Sequence, residues 1–268
     1  MINKGKHIIL GIGIDAVDYE NAVKQVIDHA KQKKSFTVSA LAVHGVMTGF
    51  LDSEHSFRLN TFNLLVPDGQ PVRWALSLLH KIYLPNRVYG PNLTLKIAEA
   101  AAKENLNIFL YGSTSSVLDL FSKNLKKLYP NINICGKAHS RFKCVSSEEQ
   151  LEIAKEIRAT NADIVFIGLG CPRQEIWAFE HRAILPMPLI AVGAAFDFHA
   201  GTLRQAPPIL QTLSLEWLFR LVLEPKRLWK RYLILNPIFL WNVAFQFLKI
   251  KKFPVNIFEG SVEFKGYS

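Results

Sequence analysis

The chain has 268 residues, 49% of them hydrophobic and 20% charged, so it can bury a full core and is not a disordered polymer. Its net charge of +10 is uneven: from Arg220 to Lys252 eight Lys/Arg stand against one acid, Glu224, so this segment carries seven of the ten charges. A basic end on a nearly neutral body fits a local anionic partner such as an anionic membrane surface, and argues against a nucleic-acid-binding protein.

Three cysteines, Cys135, Cys144 and Cys171, form no C-x-x-C pair and no even disulfide set, which suits a reducing compartment. The stretch 8–14 is too short and too glycine-broken for a secretory core, and no eighteen apolar residues run uninterrupted, so cytosolic residence is expected.

In chain order, residues 7–14 are β-branched and predict a strand, and Asp18 predicts the cap of an amphipathic helix with Ala22, Val23, Val26, Ile27 and Ala30 on one face. Residues 36–42 predict a second strand, with Ser39 and His44 near its strand-to-helix corner. Leu64-Leu65-Val66-Pro67 predicts a strand that stops at Asp68-Gly69 before a helix opened by Pro71. Asp68 either caps that helix or presents its carboxylate at the C-terminal edge of the sheet, beside the crevice where open α/β sheets bind ligands. A polar loop, 87–92, leads to a helix through Glu104 that Asn92 is expected to cap.

Residues 107–111 predict a strand ending in Gly112-Ser113-Thr114, and a helix follows to Leu128. A short strand is expected over 133–137, and Ser147 with Gln150 reads as a capping box for a helix to Thr160. Residues 163–167 and 189–192 complete the strands. The alternation predicts an α/β fold: a Rossmann-like, mainly parallel sheet flanked by helices. We expect an α/β core over 1–203, with a seam near Gly90 that could separate two lobes, and a helical, basic C-terminal appendage over 204–268.

Several constellations could carry chemistry. Gly112-Ser113-Thr114 is a strand-to-helix corner able to hold a phosphate, or merely a turn. The G-x-G-x-x-G fingerprint and the P-loop are both absent, which disfavours nicotinamide chemistry. No H-E-x-x-H and no Asp-x-Asp occurs, so neither a metal site nor a cofactor is expected, and arginines or helix N-termini would have to neutralise a diphosphate. His44 reads as a hydrogen-bonded structural residue. Gln174, after Gly168-Leu169-Gly170, could bind a ligand edge or simply open a helix, and Asp197 is either a paired structural acid or a reader of ribose hydroxyls.

Six short motifs in order carry a resemblance. They are Val66-Pro67-Asp68-Gly69, Arg87-Val88-Tyr89-Gly90, Gly168-Leu169-Gly170-x-Pro172-x-Gln174-Glu175, Gly193-x-x-Phe196-Asp197-Phe198-x-x-Gly201, Arg204-x-Ala206-Pro207, and Glu216-Trp217-Leu218-Phe219-Arg220 with Glu224-Pro225-x-Arg227 beyond it. Over roughly residues 10–232 the chain resembles the WecG/TagA/CpsF glycosyltransferases, glycosyltransferase family 26. The resemblance implies a metal-independent, inverting transferase that moves a sugar from a UDP-sugar donor to a polyprenyl-diphosphate-linked glycan acceptor in surface polysaccharide synthesis. It would act as a peripheral protein on the inner face of the cell membrane.

The same resemblance implies that Asp68 is the general base, that Arg220, Arg227 and Arg231 steady the diphosphate leaving group, and that Ser39, Arg87 and Gln174 meet the donor. Gly112, Gly170 and Asp197 complete the expected substrate-binding set. The family's Thr-Pro-Asn stands here as Ser39-Ala40-Leu41, so a carboxamide is lost and the donor is either a hexose such as glucose or an N-acetylhexosamine such as N-acetylmannosamine. The loss of that Asn motivates an alternative, a catalytically silent nucleotide-sugar-binding scaffold subunit. Residues 232–248 are apolar but broken by Asn236, Pro237, Asn242 and Gln246. They read either as an interfacial membrane segment or as a core helix or a contact in a homo-oligomer.

Overall fold

Apolar runs in which neither alternate position is polar, such as Ile164–Gly168 (IVFIG), suit strands covered on both faces, and they form the middle of a six-stranded parallel sheet whose edge strand, Asn133–Ala138 (NICGKA), is more polar and more exposed. The computed structural model describes residues 1–255 and 262–268. The chain opens on an antiparallel hairpin, β1 (Asn3–Ile9) and β2 (Ile12–Val17), where one strand over 7–14 is expected. Leu10 and Gly11 both take positive φ, 51° and 84°, and fold the apolar run back on itself in a two-residue turn. With Gly11 its only turn residue, the run hides the break.

Helix α1 (Tyr19–Lys31) is capped by Asp18, whose carboxylate accepts from the Asn21 N–H at 2.9 Å, and buries Ala22, Val26, Ile27 and Ala30. There follow β3 (Phe36–Leu41), α2 (Val43–Leu51), α3 (Ser53–Asn60), β4 (Leu64–Pro67) and α4 (Gln70–His80). Helix α5 (Gly90–Lys103) starts before Asn92, and no side chain caps it. The expected Asn92 cap is therefore corrected: Pro91 sits in the first turn, where a missing N–H costs nothing, and moves the start upstream.

Strand β5 (Asn107–Gly112), α6 (Ser115–Leu128) and β6 (Asn133–Ala138) lie as expected. Helix α7 (Ser147–Ala159) is closed by a capping box one residue earlier than predicted, between Ser146 and Glu149. Both registers fit the pattern, but Glu149 brings a charged acceptor, while Gln150 is turned inward to Glu180 and His181. The α/β part ends with β7 (Ile164–Gly168), α8 (Arg173–His181), β8 (Pro188–Ala191) and α9 (Ala195–Ala200).

The strand order is β4-β3-β8-β7-β5-β6 and every neighbouring pair is parallel, so the segments on either side of Gly90 share one sheet. One core cluster packs α1, α5, α6 and α9 on one face, and a second packs the hairpin with α2, α4, α7 and α8 on the other. Parallel order sends all strand C-termini to one edge. Past β5 the chain turns outward to β6, and past β7 it turns the opposite way to β8, so the topology switches between β5 and β7.

Beyond α9 come α10 (Pro208–Thr212), α11 (Glu216–Leu223), α12 (Pro225–Trp229), a π-helical turn (Lys230–Leu235) and α13 (Asn236–Phe247). Pro237 lies in the first turn of α13. One face of α13 enters the second core cluster through Phe239 (0% exposed) and Val243. The Gln246 carboxamide also grips the hairpin tip, accepting from the Leu10 N–H and donating to the Ile8 carbonyl at 3.0 Å each. The opposite face carries Leu240 and Trp241, 56% and 65% exposed. Of the two readings of 232–248, packing therefore describes one face and leaves the other open. Among the described residues no helix is long and apolar enough to cross a membrane. The last residues return to the core, where Tyr267 bridges Cys144 and Gly266 accepts from the Val145 N–H at 2.7 Å.

Candidate functional site

Asp68 follows β4 directly, and its own N–H continues the ladder to the Leu41 carbonyl at 3.2 Å. Helix α4 is capped by Gly69 without a side-chain bond, so Asp68 is not its cap. Its Oδ1 instead accepts from the Gly90 N–H at 3.0 Å, at the N-terminus of α5. The position is tight, since a Cβ at Gly90 would stand 3.3 Å from the Ala40 methyl. Burial, and after it the charge of Glu216, pushes the Asp68 pKa up to about 6, against the pull of Arg87, the Gly90 N–H and Arg220. At neutral pH it is a carboxylate held near the point of proton uptake.

The crevice around Asp68 is walled by the strand ends on one side and by the C-terminal helices on the other. His44, Arg87, Tyr89, Glu216, Arg220 and Arg231 all line it. Arg87 is ion-paired with Glu216, and its guanidinium lies 4.2 Å from the centre of the Tyr89 ring. The Tyr89 hydroxyl donates to the other Glu216 oxygen at 2.7 Å. Burial opposes the charge on Arg87, but Asp68 and Glu216 outweigh it and raise its pKa. Burial and the same two carboxylates also raise the Tyr89 phenol well above its usual value.

Arg231 comes from the π-helical turn, and burial, with Arg227 and Arg220 nearby, lowers its pKa. Arg220 lies 5.5 Å from the Phe198 ring, and its Nε is buried with no hydrogen-bond partner. His44 keeps the expected hydrogen bond, to the Cys171 backbone, and also lines the crevice. Its Nδ1 is buried without a partner, and burial, then Arg231, lowers its pKa to about 4, so it faces the crevice as a neutral imidazole.

Other expected residues lie elsewhere along the same sheet edge. Ser39 is buried inside β3 and donates to Glu175 Oε1 at 2.8 Å, as does the Gln174 carboxamide. Gln174 Oε1 and Glu175 Oε2 are buried and unpartnered, and burial raises the Glu175 pKa. Gly112 (φ 103°) packs on Gly168, where a Cβ would meet the backbone at 2.9 Å, while Gly170 (φ 77°) has open space around it. These glycines sit at the β5/β7 switch. Arg227 stands outside the crevice, paired with Glu224. Asp197 lies on α9 with the Thr202 hydroxyl at 3.4 Å, and burial raises its pKa. Leu41 packs into the core, its side chain 2.7 Å from where a Gly45 Cβ would stand, so it does not line the crevice.

Sequence reasoning assigned no role to Glu216, Tyr89 or Glu175. All three sit inside the quoted motifs, next to residues that were assigned. The signal present was that adjacency. The contact between Arg87 and Glu216, 129 residues apart, has no signature in either stretch.

The Glycosyl transferase WecG/TagA/CpsF family matches residues 7–253. An N-acetylglucosaminyldiphosphoundecaprenol N-acetyl-beta-D-mannosaminyltransferase of Bacillus subtilis strain 168 is 31% identical over 203 residues, 75% of this chain and 77% of that one. A protein of the same name from Bacillus spizizenii strain W23 is 30% identical over 176 residues, 65% of this chain and 66% of that one.

Proposed function

The chain belongs to the WecG/TagA/CpsF family of glycosyltransferases, and from that premise we propose a specific reaction for it. It transfers a hexose or N-acetylhexosamine, such as glucose or N-acetylmannosamine, from a UDP-sugar to a polyprenyl-diphosphate-linked saccharide. Transfer inverts the anomeric centre, needs no metal, and serves surface polysaccharide synthesis at the inner face of the membrane. The relatives' names, with their diphosphoundecaprenol-linked N-acetylglucosamine, support the acceptor class.

The observation that carries the reading is the Asp68 carboxylate, poised near pH 6 at the strand edge and open to a crevice with guanidinium walls. Asp68 takes the proton of the acceptor hydroxyl, whose oxygen then attacks the sugar C1 from the face opposite the nucleotide. The bond from C1 to the diphosphate oxygen breaks, and UDP leaves with the electron pair. A base matched to the working pH contributes about 10²- to 10⁴-fold. Arg220 and Arg231 neutralise the departing diphosphate, with Arg227 next to them on the neighbouring helix.

The donor lies along the sheet edge toward the β5/β7 switch, its diphosphate held between Arg220 and Arg231 on one side and the Gly112 and Gly170 turns on the other, and its ribose toward Asp197. Ser39 and Gln174, both hydrogen-bonded to Glu175 Oε1, form the floor beneath the donor at that edge. Residues 1–203 form the α/β transferase core. The helices beyond 204 close the crevice and seat Trp241 and its exposed neighbours at the headgroup layer of an anionic membrane.

UDP release measured over a panel of UDP-sugars, with a polyprenyl-diphosphate saccharide and EDTA present, tests this. Acceptor-dependent turnover with one donor is expected to survive EDTA and to fall about 10³-fold in Asp68→Asn. Full activity in that variant, or turnover abolished by EDTA, would sink the mechanism.

A further inference from the structure

Next to the Asp68 crevice runs a second cavity of about 410 Å³, within the size range of small-ligand sites (about 300–1,000 Å³). Its lining is almost wholly apolar: Trp74 of α4, Trp217 of α11, Leu233 of the π-helical turn, and Pro237, Phe239 and Leu240 of α13. Trp217, Tyr232 and Asn236 line both cavities, so the two adjoin. Trp74, Leu233 and Leu240 leave roughly half their surface to solvent, 49%, 58% and 56%. Large apolar side chains gathered in a concave trench mark a ligand groove more often than bare surface.

We propose that this groove seats the first isoprene units of the acceptor's polyprenyl chain. The assignment rests on the transferase reading above and adds a subsite to it. Two observations identify the occupant. The first is adjacency: the crevice that holds Asp68 adjoins an apolar trench between α4 and α13. The second is the order of chemistry along that path. Arg220 and Arg231, shared between the leaving diphosphate of the donor and the diphosphate of the acceptor, line the crevice, a collar of Tyr232 and Asn236 follows, and hydrocarbon and indole come next. An anionic diphosphate joined to a branched, unsaturated chain has that order, and its methyl-bearing carbons suit aromatic walls.

The path ends at the exposed face of α13, so a longer chain can continue into a bilayer while its head stays at the base. The groove lies on the protein side of that face, with Phe239 as its fully buried floor. Chain binding and crevice closure thereby share the same helices, α11 and α13.

Calorimetric titration of the full chain with farnesyl diphosphate and with inorganic diphosphate tests the groove. Burial of several methylene equivalents predicts that farnesyl diphosphate binds about tenfold or more tightly. Trp217→Ala and Leu240→Ser should each cut that advantage to about threefold or less. Val222→Ser, exposed on α11 but outside the groove, should keep it. Equal affinities for the two probes, or an advantage that ignores both groove variants, would overturn the proposal. So would dihexanoylphosphatidylglycerol matching the farnesyl advantage with the same sensitivity to the variants, which would assign the groove to bulk membrane lipid. Turnover measured alongside separates the two levels: turnover without a farnesyl advantage removes the groove alone. Absence of turnover with every donor removes the transferase reading, and the assignment to an acceptor falls with it.

Discussion

The six-stranded layer and the segment after residue 204 are built on opposite plans. In the sheet and its flanking helices most apolar residues point inward, and buried polar groups such as Ser39 and Glu175 are tied to each other. In the C-terminal segment Glu216, Arg220 and Arg231 turn toward the protein while Leu233, Leu240 and Trp241 leave more than half their surface to solvent. The inversion follows from what each surface meets. The sheet has only its own helices to cover it, whereas the segment covers a charged crevice on one side and has an apolar partner available on the other. Scaffold and closure are thus separable by polarity, and the Asp68 site exists only where they meet.

The comparison breaks most severely at Phe239, which belongs to the C-terminal segment in sequence and to the sheet's core in space. If α13 is part of the cooperative unit, Phe239→Ala leaves a cavity against α2 and α4 and costs about 3–5 kcal/mol. Urea unfolding should show one transition moved to lower denaturant. A transition left in place would mean that α13 is docked too weakly to count as core.

Next in size is an effect of opposite sign. Asp68 has a folded-state pKa near 6, above the usual carboxylate range, because burial disfavours its charge. Its protonated form is favoured in the fold, so this residue adds stability at low pH and loses it as pH rises from about 4 through about 6. Asp68→Asn should therefore be more stable than the native chain at pH 7.5, by about 2 kcal/mol or a few degrees in Tm, and no more stable at pH 3.5. A variant that loses turnover while gaining stability would identify Asp68 as a functional compromise in an otherwise well-packed edge. Equal melting at both pH values would show that the carboxylate is not strained by its surroundings.

The same division explains what could be read in advance. The α/β class, the strands and Asp68 at a strand edge follow from local period and turn chemistry, which the apolar runs and Pro67-Asp68-Gly69 display openly. The hairpin was hidden because Ile9 through Ile14 stays apolar across its turn. The capping box slipped because Ser146 and Ser147 offer the same pattern twice. Asp68, Arg87 and Arg220 were legible as site residues from their motifs and Arg231 from the family resemblance, and they do line one crevice. Arg227 and Asp197 carry the same kind of motif signal yet stand outside it, since a motif records a residue type and not where the helix turns it. Glu216 was least legible, because its role depends on a partner from the other region.

That residue gives the smallest effect and the sharpest use of the comparison. Glu216 joins the C-terminal segment to the sheet by holding Arg87 and Tyr89, and its charge is one of those that raise the Asp68 pKa. Glu216→Gln keeps the shape and can still accept from the Tyr89 hydroxyl. It removes a negative charge near Asp68 and leaves Arg87 facing Asp68 alone, and both changes favour the carboxylate. The acid limb of kcat/KM, which reports the base in the free enzyme, should therefore move to lower pH, while turnover at neutral pH falls by about tenfold or less as Arg87 loses its fixed orientation. A residue that only fastened two regions together would lower activity evenly across the profile and leave the limb in place. A limb that moves shows that closure by the C-terminal segment also sets the acidity of the base on the sheet.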